Sequence, residues 1–303
     1  GVVGFFRASL TGLAVTCALA LPACGRSLGF ELHRADAVRV LRYSLPLVGV
    51  FLLFQISNVI NRILITNFLS LSQAGIYAIA SRIVTPLSII VASFGMAWFP
   101  YAMSKRDDPL AAGIYSRVLA GYVGGTAVLF ALLALFRREI IAVFAPGYGE
   151  SYGLAATLAL HQIVMGSVYV ATLGLHVFEK TSYIGKAAAV AVVVNVGVSA
   201  SLLPLLGLQG IALGSLAGGV VWVALQMRVS EALLPLVWSG SVTRAAAATI
   251  CSSLLLAPIM DATRIAMPLA LLAKIACVTV ASYWIWRSYQ HFVRALQSRP
   301  ECP

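Results

Sequence analysis

Acidic side chains are scarce here: ten Asp and Glu stand against 21 Lys and Arg in 303 residues, and all charged residues together make up only 10%. A soluble domain carries about a quarter charged residues, so a water-solvated globule is excluded. Alternation of apolar and polar residues is missing too. The stretch AAAVAVVVNVGVSASLLPLL (187–206) is apolar on every face, whereas a spanning β-strand alternates over ~10 residues. That excludes a closed barrel. Metal and redox motifs are absent: the five cysteines, Cys17, Cys24, Cys251, Cys277 and Cys302, form no CxxC pair and have no histidine at ligand spacing. Four sit in or beside apolar runs, where a cysteine packs as a small residue. No cofactor or metal site is expected. The formal charge of +11 is spread through polar breaks rather than gathered in a patch, so nucleic acid is not an expected partner.

What the sequence does have is length in apolar runs. Hydrophobic residues are 60% of the chain, mean hydropathy is +0.94, and a helix crosses a bilayer with about 20 such residues. The pattern predicts an all-α, polytopic membrane helical bundle of nine spans: 4–24, 45–68, 74–100, 115–136, 153–177, 183–204, 209–229, 244–261 and 266–287. The first run has no basic n-region and no A-x-A site, so it reads as a membrane helix rather than a signal peptide. An odd helix count and the opening GVVGFFRASLTG, without an initiator Met, predict further N-terminal sequence.

Basic residues in alternate breaks set orientation. Arg26, Arg34, Arg39, Arg42, Lys105, Arg106, Arg117, Lys180, Lys186, Arg228, Arg244, Arg287, Arg294 and Arg299, fourteen of the 21, fall on one side. That side is expected to be cytoplasmic, with the C-terminus, and Leu69 to Gly75 and Pro204 to Leu208 then face outward. Residues 31–45 (ELHRADAVRVLRYSL) place Leu32, Ala35, Val38, Leu41 and Leu45 opposite His33, Arg34 and Arg39, as in a short interfacial helix; a solvated basic loop is the other reading. Gly121 and Gly125 form a GxxxG, and Gly210, Gly214 and Gly218 a double one, both expected to let helices approach closely. Pro86 is expected to kink its helix.

Polar residues gather inside two of the spans. Gln55, Asn58 and Arg62 follow at i, i+3 and i+7 on one stripe, with Ser57 and Asn61 beside it. Ser81, Thr85 and Ser88 form a similar stripe next to Arg82. Arg62 precedes Leu71 by nine residues and Arg82 follows it by eleven, so an antiparallel pair would hold both guanidiniums roughly 10 Å inside the outer boundary. A charge at depth costs on the order of 2.5 to 3.5 kcal/mol on insertion scales. All ten acids lie in breaks or at helix ends, which leaves water, an absent helix or an anionic ligand as partner. Two placements stay open: the arginines face a wet cavity, or they snorkel to the interface. His161, Gln162 and His176 read as packing positions, and Lys274 either snorkels or lines a groove between the last two helices.

LRYSLPLV (41–48), NRILITNFLSLSQAGIYAIASRI (61–83), FGMAWFPY (94–101), FAPGYGES (144–151) and NVGVSASLLPLLGLQGIALGS (195–215) together resemble the polysaccharide flippases of the multidrug/oligosaccharidyl-lipid/polysaccharide exporter superfamily, of the Wzx-like O-antigen and capsule type. The resemblance implies two six-helix lobes, often followed by two more helices. Residues 1–30 would hold the last helix of a first lobe, 31–44 an interfacial linker, 45–230 the second lobe, and 231–303 the additional pair and a cytoplasmic tail. It implies no enzyme but a carrier in the bacterial inner membrane that moves a polyprenyl-pyrophosphate-linked oligosaccharide to the outer leaflet by alternating access. Arg62, Arg82, Gln55, Asn58 and Asn61 would then bind the substrate. Its expected partners are that lipid-linked oligosaccharide, membrane lipids and other polysaccharide assembly proteins. Many relatives carry an Asp-Arg pair where this chain has Asn61 and Arg62, which puts cation coupling through that acid in doubt.

Three other classes compete. A drug or cation antiporter of the same superfamily would use a buried carboxylate, and none is found in these spans. A membrane glycosyltransferase or O-antigen ligase needs catalytic groups on substantial loops; the sequence has no DxD, HExxH or nucleophile constellation. A non-transporting scaffold would have no use for the polar faces.

Overall fold

The computed structural model describes residues 2–25, 34–108, 110–149, 151–262 and 267–297. Those residues are helical almost throughout, because a chain this apolar has to satisfy its backbone polar groups within each segment. There are eleven helices among the described residues: α1 (Val2–Gly25), α2 (Arg34–Phe68), α3 (Leu71–Ser104), α4 (Ala111–Leu135), α5 (Arg137–Phe144), α6 (Ser151–Ala171), α7 (Leu173–Val177), α8 (Thr181–Leu206), α9 (Leu208–Leu233), α10 (Gly240–Ala262) and α11 (Met267–Gln297). Eight of them, α2, α3, α4, α6 and α8 to α11, are long and apolar enough to cross a membrane. The expected count of nine included α1, which supplies only the shorter apolar stretch Phe6–Pro22.

Two compact units divide the chain, Gly1–Tyr43 and Ser44–Pro303. In the first, α1 satisfies its hydroxyls locally: Thr11 and Thr16 donate to the carbonyls of Arg7 and Gly12, each at 2.8 Å. Residues 34–44, expected in a separate interfacial element, are helical and continue into α2 without a break. The sequence from Arg34 to Ser44 contains no glycine or proline to stop it. Residues 31–33 of that expected element lie outside the described ones.

The second unit is built on α6, which packs against α3, α4 and α9, while α8 and α9 form a closely paired hairpin. A single residue, Gly207, joins α8 to α9 at φ +55°, a conformation glycine adopts without steric cost. Beyond it the double glycine repeat does what its spacing predicts. A Cβ on Gly210 would sit 2.6 Å from the Leu202 carbonyl carbon, on Gly214 2.8 Å from the Asn195 carbonyl oxygen, and on Gly218 2.7 Å from the Ala191 carbonyl oxygen. The backbones touch because the side chains are missing.

The expected span 153–177 is interrupted at Thr172, between α6 and α7. Neighbouring side chains take up the backbone groups there: Trp98 donates its indole N–H to the Tyr169 carbonyl (3.1 Å), and the Gly174 amide donates to Ser230 Oγ (3.1 Å). The helix can break because its freed groups find partners.

α5 is a helix the apolar pattern missed, since eight residues are too few to span and Arg137, Arg138 and Glu139 make it polar. It anchors the last two helices. Lys274 of α11, only 2% exposed, donates to Glu139 at 2.8 and 3.0 Å and lies 3.6 Å from Asp261. Arg137 donates from Nε (3.2 Å) and Nη2 (3.1 Å) to the same Asp261 oxygen, and Arg138 reaches the Asp261 carbonyl. The two cations and two anions cancel. Of the two expected placements, snorkelling and a groove between the last two helices, the buried Lys274 takes one close to the second: it lies beside Asp261 of α10 and Glu139 of α5.

Two predictions follow from this packing. Gly214→Ala should lower thermal stability in detergent micelles by about 1 to 3 kcal/mol through overpacking, whereas Gly75→Ala on α3, where a Cβ meets nothing within 4 Å, should leave it unchanged or slightly raised. Lys274→Met should cost about 3 kcal/mol by leaving the half-buried Glu139 without its cation, and the charge exchange Lys274→Glu with Glu139→Lys should recover most of that loss in the same melting measurement.

Candidate functional site

The turn between α2 and α3 is two residues long. Leu69 closes α2 through its amide to the Ile65 carbonyl (3.0 Å), and Ser70 caps α3 by accepting from the Gln73 amide (3.1 Å). Around this turn Leu64, Ile65, Leu69, Ala74 and Tyr77 share one apolar cluster with Leu203, Leu208 and Ile211. Farther along, the two helices serve different neighbours. Val50 of α2 packs with Ile184 and Trp222 of α8 and α9, while Val84, Leu87 and Val91 of α3 pack with Phe130, Ala159 and Ile163 of α4 and α6. At the far end a cavity of about 370 Å3 lies between Leu47 and Val50 of α2 and Met96 and Phe99 of α3. Tyr169, His176, Trp222 and Gln226 complete its wall. His176 stands edge-on to Phe99 at 5.2 Å, and His161 fits against Gly219.

Five polar residues of α2 divide between two faces. Ser57 and Asn61 are buried and bind α8 and α9: Asn61 Nδ2 donates to Ser215 Oγ at 3.2 Å, and Asn195 Nδ2 donates to Ser57 Oγ at 2.7 Å. Ser199 Oγ then donates to Asn195 Oδ1 at 3.1 Å and Ser215 Oγ to the Ile211 carbonyl at 3.1 Å. The seam is neutral from end to end, built of amides and hydroxyls, with the Asn61 Oδ1 left without a hydrogen bond among the described residues. Gln55, Asn58 and Arg62 are exposed, on the opposite stripe. The structure thus keeps three of the expected site residues of α2 together on an open face and turns Asn61 into the packing interface.

α3 divides in the same way. Ser81 and Ser88 are half-buried and donate back to the carbonyls of Tyr77 and Val84, whereas Arg82 and Thr85 are exposed. α3 stays one helix through Pro86. A proline has no N–H for the carbonyl four residues earlier, and that carbonyl belongs to Arg82. The Arg82 carbonyl therefore lacks the helical hydrogen bond that an N–H at position 86 would give it. Neither Arg62 nor Arg82 has an ion-pair or hydrogen-bond partner for its side chain among the described residues, although both lie in helices of membrane-spanning length.

The site's chemistry is that of polyol and anion binding. Two guanidiniums offer planar donor forks suited to phosphate or carboxylate; the exposed Gln55 and Asn58 offer neutral donors and acceptors suited to hydroxyls. No group of three or more His, Cys, Asp or Glu that could hold a metal ion occurs among the described residues. The wall formed by Tyr169, His176, Trp222 and Gln226 was not legible from spacing, because those residues come from three helices and are separated by up to 57 positions.

Comparison with known proteins bears on this region. No curated protein and no solved structure matches the chain. The family described as "Polysaccharide biosynthesis protein", which includes Wzx-like flippases, matches residues 2–105. The matched stretch runs from α1 through the end of α3 and contains Gln55, Asn58, Asn61, Arg62 and Arg82. The match covers about a third of the chain and fits the resemblance to polysaccharide flippases.

Proposed function

We propose that the protein moves a polyprenyl-pyrophosphate-linked oligosaccharide from the cytoplasmic to the outer leaflet of the bacterial inner membrane by alternating access. The observation that carries this reading is the pair of exposed guanidiniums, Arg62 and Arg82, on consecutive membrane-length helices, with no ion-pair partner among the described residues. The pyrophosphate supplies the missing negative charge. The glycan supplies hydroxyls for Gln55 and Asn58. Asn61 acts one layer behind, by holding α2 to α9 so that Arg62 keeps its place on the open stripe. On this reading residues 45–230 form one transporter lobe that rocks against another, residues 1–30 belong to that other lobe, and 231–303 ride with the first through the Lys274 corner. The basic end of the helices lies in the cytoplasm, and assembly proteins act on the delivered glycan outside.

The proposal predicts that, in cells lacking their own flippase and expressing this protein from its native reading frame, surface glycan is restored. Arg62→Ala and Arg82→Ala at matched protein levels should each lower it about tenfold, the cost of losing one charge-assisted contact. Full export from both variants contradicts the site. A wild type that restores no glycan but lowers drug accumulation contradicts the substrate class and selects the antiporter.

A further inference from the structure

The glycine repeat on α4 does not do what its twin on α9 does. A Cβ on Gly125 would meet nothing within 4 Å, and one on Gly121 only the ring of Tyr289, at 3.8 Å. On this face α11 sets the Tyr289 ring beside Gly121, and no other helix's backbone comes within 4 Å of a Cβ at either position. The two glycines instead floor an open trough of about 520 Å3 between α3 and α4, bordered by Ile90 and Phe94 on one side and Leu129 on the other, with Arg117 among its lining residues.

Of its polar groups, those of Tyr122 and Thr126 are satisfied within the protein, and the Tyr289 ring of α11 lines the wall beside Arg117. The Tyr122 hydroxyl donates to the Ile163 carbonyl (3.0 Å) and Thr126 Oγ1 to the Tyr122 carbonyl (2.7 Å). Arg117 is the charged residue of the lining, and its Nε is buried without a partner. The acids nearest in sequence are already engaged, Asp107 with Arg106 at 3.3 Å and Asp108 with Lys105 at 3.4 Å. One cation thus stands at the end of an apolar channel with no anion from the described residues to meet it. From Arg117 to Leu129 is twelve residues, about 18 Å along a helix, close to one leaflet of a ~30 Å hydrocarbon core. On the other face of α4, Phe130 and Ala134 are buried in the cluster shared with α6.

We propose that this trough binds one acyl chain of an anionic bilayer phospholipid, its phosphate on the Arg117 guanidinium. The chain lies over Gly121 and Gly125, and the leaflet-length channel favours an acyl chain over a longer isoprenoid. This site is separate from the Arg62 and Arg82 face and stands whether or not the protein flips glycans.

The test is native mass spectrometry of the full chain released from micelles containing phosphatidylglycerol, phosphatidylcholine or undecaprenyl phosphate. Wild type is expected to retain one phosphatidylglycerol in preference to phosphatidylcholine. Arg117→Gln should cut that preference about fivefold, the factor one basic residue supplies at an anionic surface, while still holding a chain. Gly125→Leu, whose side chain enters open space, should lose bound lipid with an unchanged melting temperature. Equal retention of both phospholipids by wild type, or undiminished phosphatidylglycerol on Gly125→Leu, overturns the proposal. Undecaprenyl phosphate held more tightly than phosphatidylglycerol, and lost in Gly125→Leu, overturns the phospholipid as occupant.

Discussion

A cation in a helix long enough to cross a bilayer must be given a partner, because hydrocarbon offers none. The chain solves that problem in two opposite ways. At the corner of α5, α10 and α11, Lys274 and Arg137 meet Glu139 and Asp261, and the charge is cancelled inside the protein. On α2 and α3, Arg62 and Arg82 are left exposed, with no ion-pair partner among the described residues. The first arrangement holds helices together. The second keeps charge available for something that is not part of the fold.

The neutral seam between α2 and α9 makes the second arrangement workable. An aspartate at position 61 would sit next to Arg62 in sequence and draw on its field. Asn61 instead spends its donor on Ser215 and contributes no charge. A seam of amides and hydroxyls binds α2 to its neighbours through directional hydrogen bonds rather than ion pairs, so the open face keeps its positive potential.

Much of this was legible in the sequence. Apolar run length gave the spans, helical spacing put Gln55, Asn58 and Arg62 on one stripe, and the scarcity of acids left the arginines unpaired. What escaped was three-dimensional. The Lys274 corner joins residues 135 positions apart, although the clue was present: Arg137, Glu139 and Asp261 fall in breaks on the same side of the membrane pattern. Spacing placed Asn61 beside the stripe but could not say which flank faced α9. The short α5 and the break at Thr172 depend on side chains from other helices that satisfy local backbone groups, which no window along one helix can reveal.

The two glycine motifs teach the same lesson. Identical spacing on α4 and α9 means backbone contact in one case and vacant volume in the other, and only the position of the neighbouring helix separates them. For the open face of α2 and α3, the decisive quantity is solvent access at depth. In a cysteine-free background, Arg62→Cys and Arg82→Cys should react with a membrane-impermeant methanethiosulfonate and be protected by lipid-linked oligosaccharide. Reaction no faster than at apolar neighbours such as Val59→Cys, or no protection by the substrate, would contradict a glycan-facing role for the two arginines.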